Sequence, residues 1–189
     1  MPKRTKRTHG LGDPSRLPAR DRDDAKTLHV VIETPKGSRN KYVFDERWRV
    51  FVLKKVLPEG MVFPYQFGFV PSTLAEDGDP LDVLVLMDEP AFPGCLVCCR
   101  PVGIIEGEQG TSKKAVRNDR IVAIEANTHN YAHIAHVDDL GKPFVAELCD
   151  FFVNYHKLSK EHFRVLDVKG PRAARERVHV AMHAWRKRS

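Results

Sequence analysis

No apolar run in this 189-residue chain approaches the roughly 20 residues that a membrane-spanning helix needs. The first 24 residues are basic and polar and lack the apolar stretch of a secretory leader, so the expected site of action is the cytoplasm. Cysteine is scarce, with four in all. Cys95, Cys98 and Cys99 sit in one apolar run, CLVCCRPVGII, and Cys149 stands alone, so the second ligand pair of a typical structural zinc site is missing. These thiols are expected to be reduced and buried, packing as small apolar side chains. There is no GxxxxGK[ST] loop, which excludes a P-loop nucleotide site, and no internal repeat. Acidic residues are absent from the first ten positions, where Lys3, Arg4, Lys6 and Arg7 supply four of the net +6 charges. Six less four leaves only +2 on everything else. A basic arm suits a nucleic-acid contact. With Gly10, Gly12, Pro14 and Pro18 and no apolar periodicity, however, residues 1–25 are expected to be a disordered tail ahead of one domain, 26–189.

What is present is ordinary globular material, 42% apolar and 30% charged. LHVVIET, KYVFDE and WRVFVLKKV are short and rich in β-branched and aromatic residues, with Pro-Lys-Gly-Ser turn chemistry after the first. DVLVLM (82–87), CLVCCRPVGII (95–105) and RIVAIEA (120–126) continue the strand pattern. After Pro143 the period changes. Phe144, Leu148, Phe151, Phe152 and Tyr155 recur at helical spacing. HFRVLDV reads as a returning strand, and a second helix is expected from Ala173 to Arg186, with Val178, Met182 and Trp185 on one face. Strands first and helices after indicate an α+β fold: a small β-barrel buttressed by helices.

The segment FPYQFGFVPSTLAEDGDPLDVLVLMDEP (63–90) carries the chemistry. It sets Asp77, Asp79 and Asp82 within six residues. Asp77 and Asp79 are two apart, Gly78 and Pro80 impose a stiff bend, and Asp82 opens an apolar strand that would hold it rigidly. Carboxylates forced together repel unless cations sit among them, and an oxygen-only cluster favours Mg²⁺ or Mn²⁺. An EF-hand loop also begins Asp-x-Asp, but the sixth position here is Asp82 where that loop needs Gly. The histidines, His156 among them, are scattered. His129 and His133 have metal-like spacing in a stretch with poor helical periodicity, so surface roles are expected for all of them.

The segment resembles the signature of the family I soluble inorganic pyrophosphatases, Asp-x-Asp-Pro-hydrophobic-Asp followed by an apolar strand. VVIETPKGSRNKYVFD, PGCLVCCRPVG and FFVNYHKL are similar to three further landmarks of that family, in the same order, and together the four cover roughly residues 28–167. The resemblance implies a five-stranded OB-like barrel with helices outside, pyrophosphate as substrate, several Mg²⁺ ions and a homo-oligomer. It implies Asp77 and Asp82 as ligands of the cations that activate water, Asp79 as the group that handles the water's proton, and Glu33 as an outer metal ligand. Lys41, Lys55, Arg120, Tyr155 and Lys157 would contact phosphate. The loop EGEQGTSKKAVRNDRIVAI offers Glu106 or Glu108, then Asn118 or Asp119, as further metal ligands, with Glu108 and Asp119 preferred. Four positions depart from the pattern: Val43 replaces a common Glu, Phe63 and Phe67 replace tyrosines, and His156 follows Tyr155 where a lysine is usual. In a fifth departure, Lys55 or Lys54 stands in for an arginine and loses its bidentate geometry. These departures keep a non-catalytic, phosphate-binding relative in view. A single-strand nucleic-acid binder would expose stacking aromatics on the barrel face, and here the aromatics fall in apolar runs.

Overall fold

The computed structural model describes residues 12–21, 23–111, 114–157 and 162–188. Its strands are β1 (Leu28–Thr34), β2 (Asn40–Asp45), β3 (Val50–Val56), β4 (Gln66–Val70), β5 (Leu81–Leu86), β6 (Leu96–Thr111), β7 (Lys114–Arg117), β8 (Arg120–Glu125) and β9 (His162–Lys169). Two helices, α1 (Lys142–Lys157) and α2 (Pro171–Arg188), flank β9.

Five strands close a ring. The order β1-β4-β5-β8-β6 returns on itself because β6 also pairs with β1. All these pairings are antiparallel except β5 with β8, so the sheet is mixed. Strands β7 and β9 extend the sheet from the long β6, and β2–β3 form a separate hairpin. Closure demands close backbone approach at Gly68, where a Cβ would stand 2.1 Å from the Val31 carbonyl oxygen.

Alternate residues of the ring strands fall into two apolar clusters, as a period of two requires. Val83 and Val85 of β5 join Ile121 and Ala123 of β8, Val30 and Ile32 of β1, and Ala174, Val178 and Ala181 of α2. The intervening Leu84 and Leu86 join Val122, Ile124, Leu148 and Phe152, so α1 seals the other face. Each fully buried aliphatic side chain contributes on the order of 1.5–3 kcal/mol. Helix α2 therefore sits down on small residues, with Met182 and Trp185 only partly covered.

Three expectations change here. The stretch 12–25 was expected to be disordered, yet Ala19 is buried in the core and Pro14–Arg16 form a 3-10 turn capped by Asp13. The Ser72 N–H donates to the Ser15 carbonyl at 2.8 Å, and its hydroxyl donates to the Leu17 carbonyl at 2.8 Å. One alanine and a few main-chain bonds leave no periodic signature, which is why composition misread the segment. Residues 1–11 lie outside the described residues. Of the cysteines, only Cys99 is fully buried; Cys95, Cys98 and Cys149 are partly exposed. His156, by contrast, is buried.

Candidate active site

A cavity of about 1130 Å³ opens at one end of the ring, between the β2–β3 hairpin and the C-terminal helices. Glu33, Lys41, Lys55, Asp77, Asp79, Asp82, Arg120 and Tyr155 all line it. Strand register explains the convergence. Asp82 of β5 lies directly beside Arg120 of the parallel β8, and Arg120 Nη2 stands 3.6 Å from Asp82 Oδ2. In the hairpin, Lys41 is the cross-strand neighbour of Lys55. Like charges directly opposite are unfavourable in a sheet, so the placement suits an anion held between them.

The Asp77–Asp79 turn is fixed by its main chain. Gly78 adopts φ +96°, a region that costs other residues steric strain. The Asp79 N–H donates to Asp77 Oδ1 at 3.2 Å, and the Ala75 N–H donates to the Asp79 carbonyl at 2.8 Å. Pro80 leads into β5, and the Leu81 N–H donates to the Thr73 hydroxyl at 3.0 Å, locking the strand mouth that carries Asp82. Glu33 of β1 accepts the Phe44 N–H at 2.8 Å, and its other oxygen lies 3.8 Å from Lys41 Nζ.

Aromatic rings hold the cationic side chains. Lys41 Nζ sits 3.7 Å from the centre of the Phe67 ring and Lys55 Nζ 3.8 Å from that of Tyr155. The Arg120 guanidinium lies between Phe152 and Phe163, at 4.6 and 4.3 Å, while its Nη1 donates to the Asn118 carbonyl at 2.8 Å. Its buried Nε has no hydrogen-bond partner among the described residues. Phe67 is therefore more than a tyrosine lacking its hydroxyl: its face carries a lysine.

Burial shifts the charged groups against their charged forms. It pushes the Asp82 carboxyl up, against the opposing pull of Arg120 and Lys41. It raises Glu33 and takes Asp77 to about 6, the latter helped by the neighbouring Asp82 and Asp79. Lys41 and Arg120 are both lowered by burial. Four acidic groups with oxygen-only donors, three of them raised, form a set that a hard divalent cation would fit and neutralise.

Three of the expected site residues do not line this cavity. Glu108 turns outward and pairs with Arg164 of β9 at 2.8 Å. Asp119 is buried away from the cavity, held by Arg117 at 2.6 Å and by Arg177 of α2 at 2.8 Å, and it accepts the Gly107 N–H at 3.0 Å. It clamps α2 to the sheet. Lys157 is exposed at the last turn of α1, 3.5 Å from Asn154 Oδ1. Glu106, the alternative in the same loop, is likewise spent on Arg117 and Lys169, at 3.0 and 2.7 Å.

Gln109 and Asn118 face the cavity instead, together with His156. Asn118 Nδ2 lies 2.7 Å from Gln109 Oε1, which is 3.1 Å from His156 Nε2. Burial first, then Arg120, takes His156 down to about 4, so its ring is neutral. Asn118 was the alternative left open beside Asp119, whereas Gln109 was missed because β6 runs to Thr111, farther than its apolar signal. With that length known, alternation would have put Glu106 and Glu108 on one face and Gln109 on the other. Ser15, Arg16 and Trp185 also line the cavity and carried no sequence signal.

The profile of the inorganic pyrophosphatases matches residues 30–186. An inorganic pyrophosphatase of Synechocystis is 40% identical over 157 residues, covering 83% of this chain and 89% of the relative. One from Nostoc is 39% identical over 154 residues, covering 82% and 88%. The crystal structure of the inorganic pyrophosphatase from Thermus thermophilus superposes with a TM-score of 0.85 at 33% identity, covering 93% of this chain and 99% of that one. Sequence, fold and the acidic turn at the mouth of β5 agree, and the chain belongs to the inorganic pyrophosphatases, a family of metal-dependent enzymes.

Proposed function

We propose that this chain hydrolyses inorganic pyrophosphate to two orthophosphates, with Mg²⁺ as its working cation and Mn²⁺ as a substitute. One observation carries the reading: Asp77, Asp79, Asp82 and Glu33 line a single cavity together with Lys41, Lys55 and Arg120. That charge pattern suits a polyanion bound together with cations. Asp77, Asp82 and Glu33 would hold the cations, which when bound neutralise phosphate charge and make a water more acidic. Asp79 orients the attacking water and takes its proton. Lys41, Lys55 and Tyr155 bind the phosphoryl oxygens, and Arg120, gripped by two aromatic rings, supplies a fixed positive charge beside Asp82. Phosphoryl transfer asks mainly for such positioning and charge neutralisation.

The same reading takes the five-strand ring as an OB-like barrel, the active form as a homo-oligomer and the compartment as the cytoplasm. It draws no support for a membrane role: among the described residues no helix is long and apolar enough to cross one. Phosphate release across a Mg²⁺ titration tests it. Activity should vanish in EDTA, return with Mg²⁺ or Mn²⁺ and fall with Ca²⁺, whose looser coordination misplaces water and phosphate. Absence of turnover at saturating Mg²⁺ would favour the second reading, binding without hydrolysis, for which the amide wall speaks.

A further inference from the structure

Far from the cavity, the docked N-terminal segment meets the β1–β6 pair at a mixed cluster of ligand-type side chains. His29 of β1 is the direct register partner of Cys98 of β6, so the two side chains stand side by side on one face. Asp21 reaches over them from the segment before β1. A carboxylate oxygen of Asp21, a ring nitrogen of His29 and the Cys98 sulfur all lie within 4.8 Å of one another. None of the three lines the cavity.

The hydrogen bonding already matches what a metal would ask. His29 Nδ1 lies 2.8 Å from the Pro18 carbonyl oxygen, which can only accept, so in the neutral ring Nδ1 carries the proton. The Nε2 lone pair is left pointing toward Asp21 Oδ2, 3.7 Å away. A ligating histidine characteristically gives its other N–H to a carbonyl in this way. Asp21 divides its work likewise: Oδ1 accepts the Asp23 N–H at 2.8 Å and fixes the carboxylate, leaving Oδ2 for the cluster. With bonds of about 2.0–2.3 Å, tetrahedral zinc ligands stand roughly 3.3–3.7 Å apart. The His29–Asp21 separation is already at that spacing, and small side-chain rotations bring in the sulfur.

We infer that Asp21, His29 and Cys98 form a zinc site that staples the N-terminal segment to the β1–β6 edge, separate from the catalytic carboxylates. One sulfur, one nitrogen and one oxygen make a borderline-soft donor set, which suits Zn²⁺ and disfavours Mg²⁺. A water completes the coordination. Without a metal the site keeps the neutral thiol, since burial and then the Asp21 and Glu125 carboxylates oppose thiolate formation. A bound cation reverses that balance and releases the thiol proton.

Cobalt is the probe, because a Co²⁺–thiolate pair gives a near-ultraviolet charge-transfer band and no cysteine lines the cavity. Full-length protein stripped with EDTA would be titrated with Co²⁺ in excess Mg²⁺, which occupies the carboxylate site. The expected result is a thiolate band saturating at one Co²⁺ per chain, abolished in Cys98→Ser, and displaced by Zn²⁺. Asp21→Asn keeps the turn but should weaken Co²⁺ at least tenfold, and Zn²⁺ should raise the melting temperature of wild type and not of Cys98→Ser. His29→Gln supplies an independent check should Cys98→Ser fold poorly. Absence of the band in wild type, or its persistence at full strength in Cys98→Ser, overturns the assignment.

Discussion

One part of the cavity lining, Asp77, Asp79, Asp82 and Glu33, crowds four carboxyl groups together; another, Gln109, Asn118 and His156, presents two amides and a neutral ring. Both walls are held in place, the first by a glycine turn and β5, the second by the Asn118–Gln109–His156 contacts between β6, the β7–β8 connection and α1. They differ in charge. A cation gains from the first wall and finds only neutral oxygens on the second. Carboxylates that would have charged the second wall lie one residue away, at Glu108 and Asp119, and are committed to Arg164, Arg117 and Arg177. On the proposed function, catalysis would rest on the acidic wall together with fixed lysines and an arginine.

The largest effect should come from breaking the acidic wall. Asp82→Asn keeps the shape and removes the charge that balances Arg120, so cations are held less well and the attacking water stays protonated. A fall in kcat of roughly a thousandfold, about 4 kcal/mol of barrier, is expected with circular dichroism unchanged. Asp79→Asn should cost about 10²–10⁴-fold through proton handling, with cation affinity measured by calorimetry nearly unaltered. If either variant keeps more than about a tenth of wild-type kcat, its assigned role fails.

Converting the neutral wall sharpens the comparison from the other side. Gln109→Glu with Asn118→Asp should add one divalent cation per chain in a Mn²⁺-binding titration with a non-hydrolysable substrate analogue. A carboxylate introduced at position 109, beside a neutral His156, should also raise that histidine's pKa, visible by NMR. An unchanged cation count would mean that the amides face the cavity without reaching a cation position.

The acidic wall was legible because three signals coincide in it: a stiff Gly-Pro bend, carboxylates at spacing two, and a pure apolar strand that fixes Asp82. Glu33, Lys41 and Lys55 came from the family resemblance alone, since a charged residue on a short strand is otherwise as readily a solvated edge charge. The neutral wall was illegible because it depends on where β6 stops being apolar and keeps being a strand, and on β7, which is short and polar. Strand β4 escaped notice because QFGFV has a glycine at its centre, needed for ring closure, which propensity reads as a break. Helix α1 is nearly complete in the sequence, yet His156, one turn beyond Phe152 on the same buried face, reads as a surface residue because a polar ring adds nothing to an apolar period.

A smaller effect separates the walls by pH. The Asp77 carboxyl is raised to about 6, by burial and then by its acidic neighbours. A cation must displace that proton, so Asp77 should make cation affinity fall as pH drops through about 6, in addition to any dependence from the likewise raised Asp82 and Glu33. Asp77→Asn should bind more weakly at neutral pH and lose that limb of the profile. A wild-type affinity flat from pH 7 to 5 would show that Asp77 does not gate binding.

The smallest effect belongs to His156 and reads the neutral wall through stability. Its folded pKa is about 4, below the ordinary 6.5, because burial and then Arg120 oppose the cation. The unfolded chain therefore takes up the proton first as pH falls. By linkage this contribution to stability is complete above about pH 6.5, declines from there toward pH 4, and changes no further below it. Asp77 acts in the opposite sense over part of the same window, because its folded pKa is raised and its proton is retained on folding. Wild-type stability alone would blend the two. The discriminating quantity is a difference of differences: denaturant unfolding of metal-free wild type and His156→Asn, each at pH 7 and pH 5. Wild type should lose more stability than the variant, by on the order of 1 kcal/mol. Asparagine keeps a donor for the Phe152 carbonyl, to which His156 Nδ1 now lies at 2.8 Å, so the variant isolates the titration from the packing. Equal losses in the two proteins would mean that His156 is protonated in the folded state at pH 5, and the wall would then carry a charge after all.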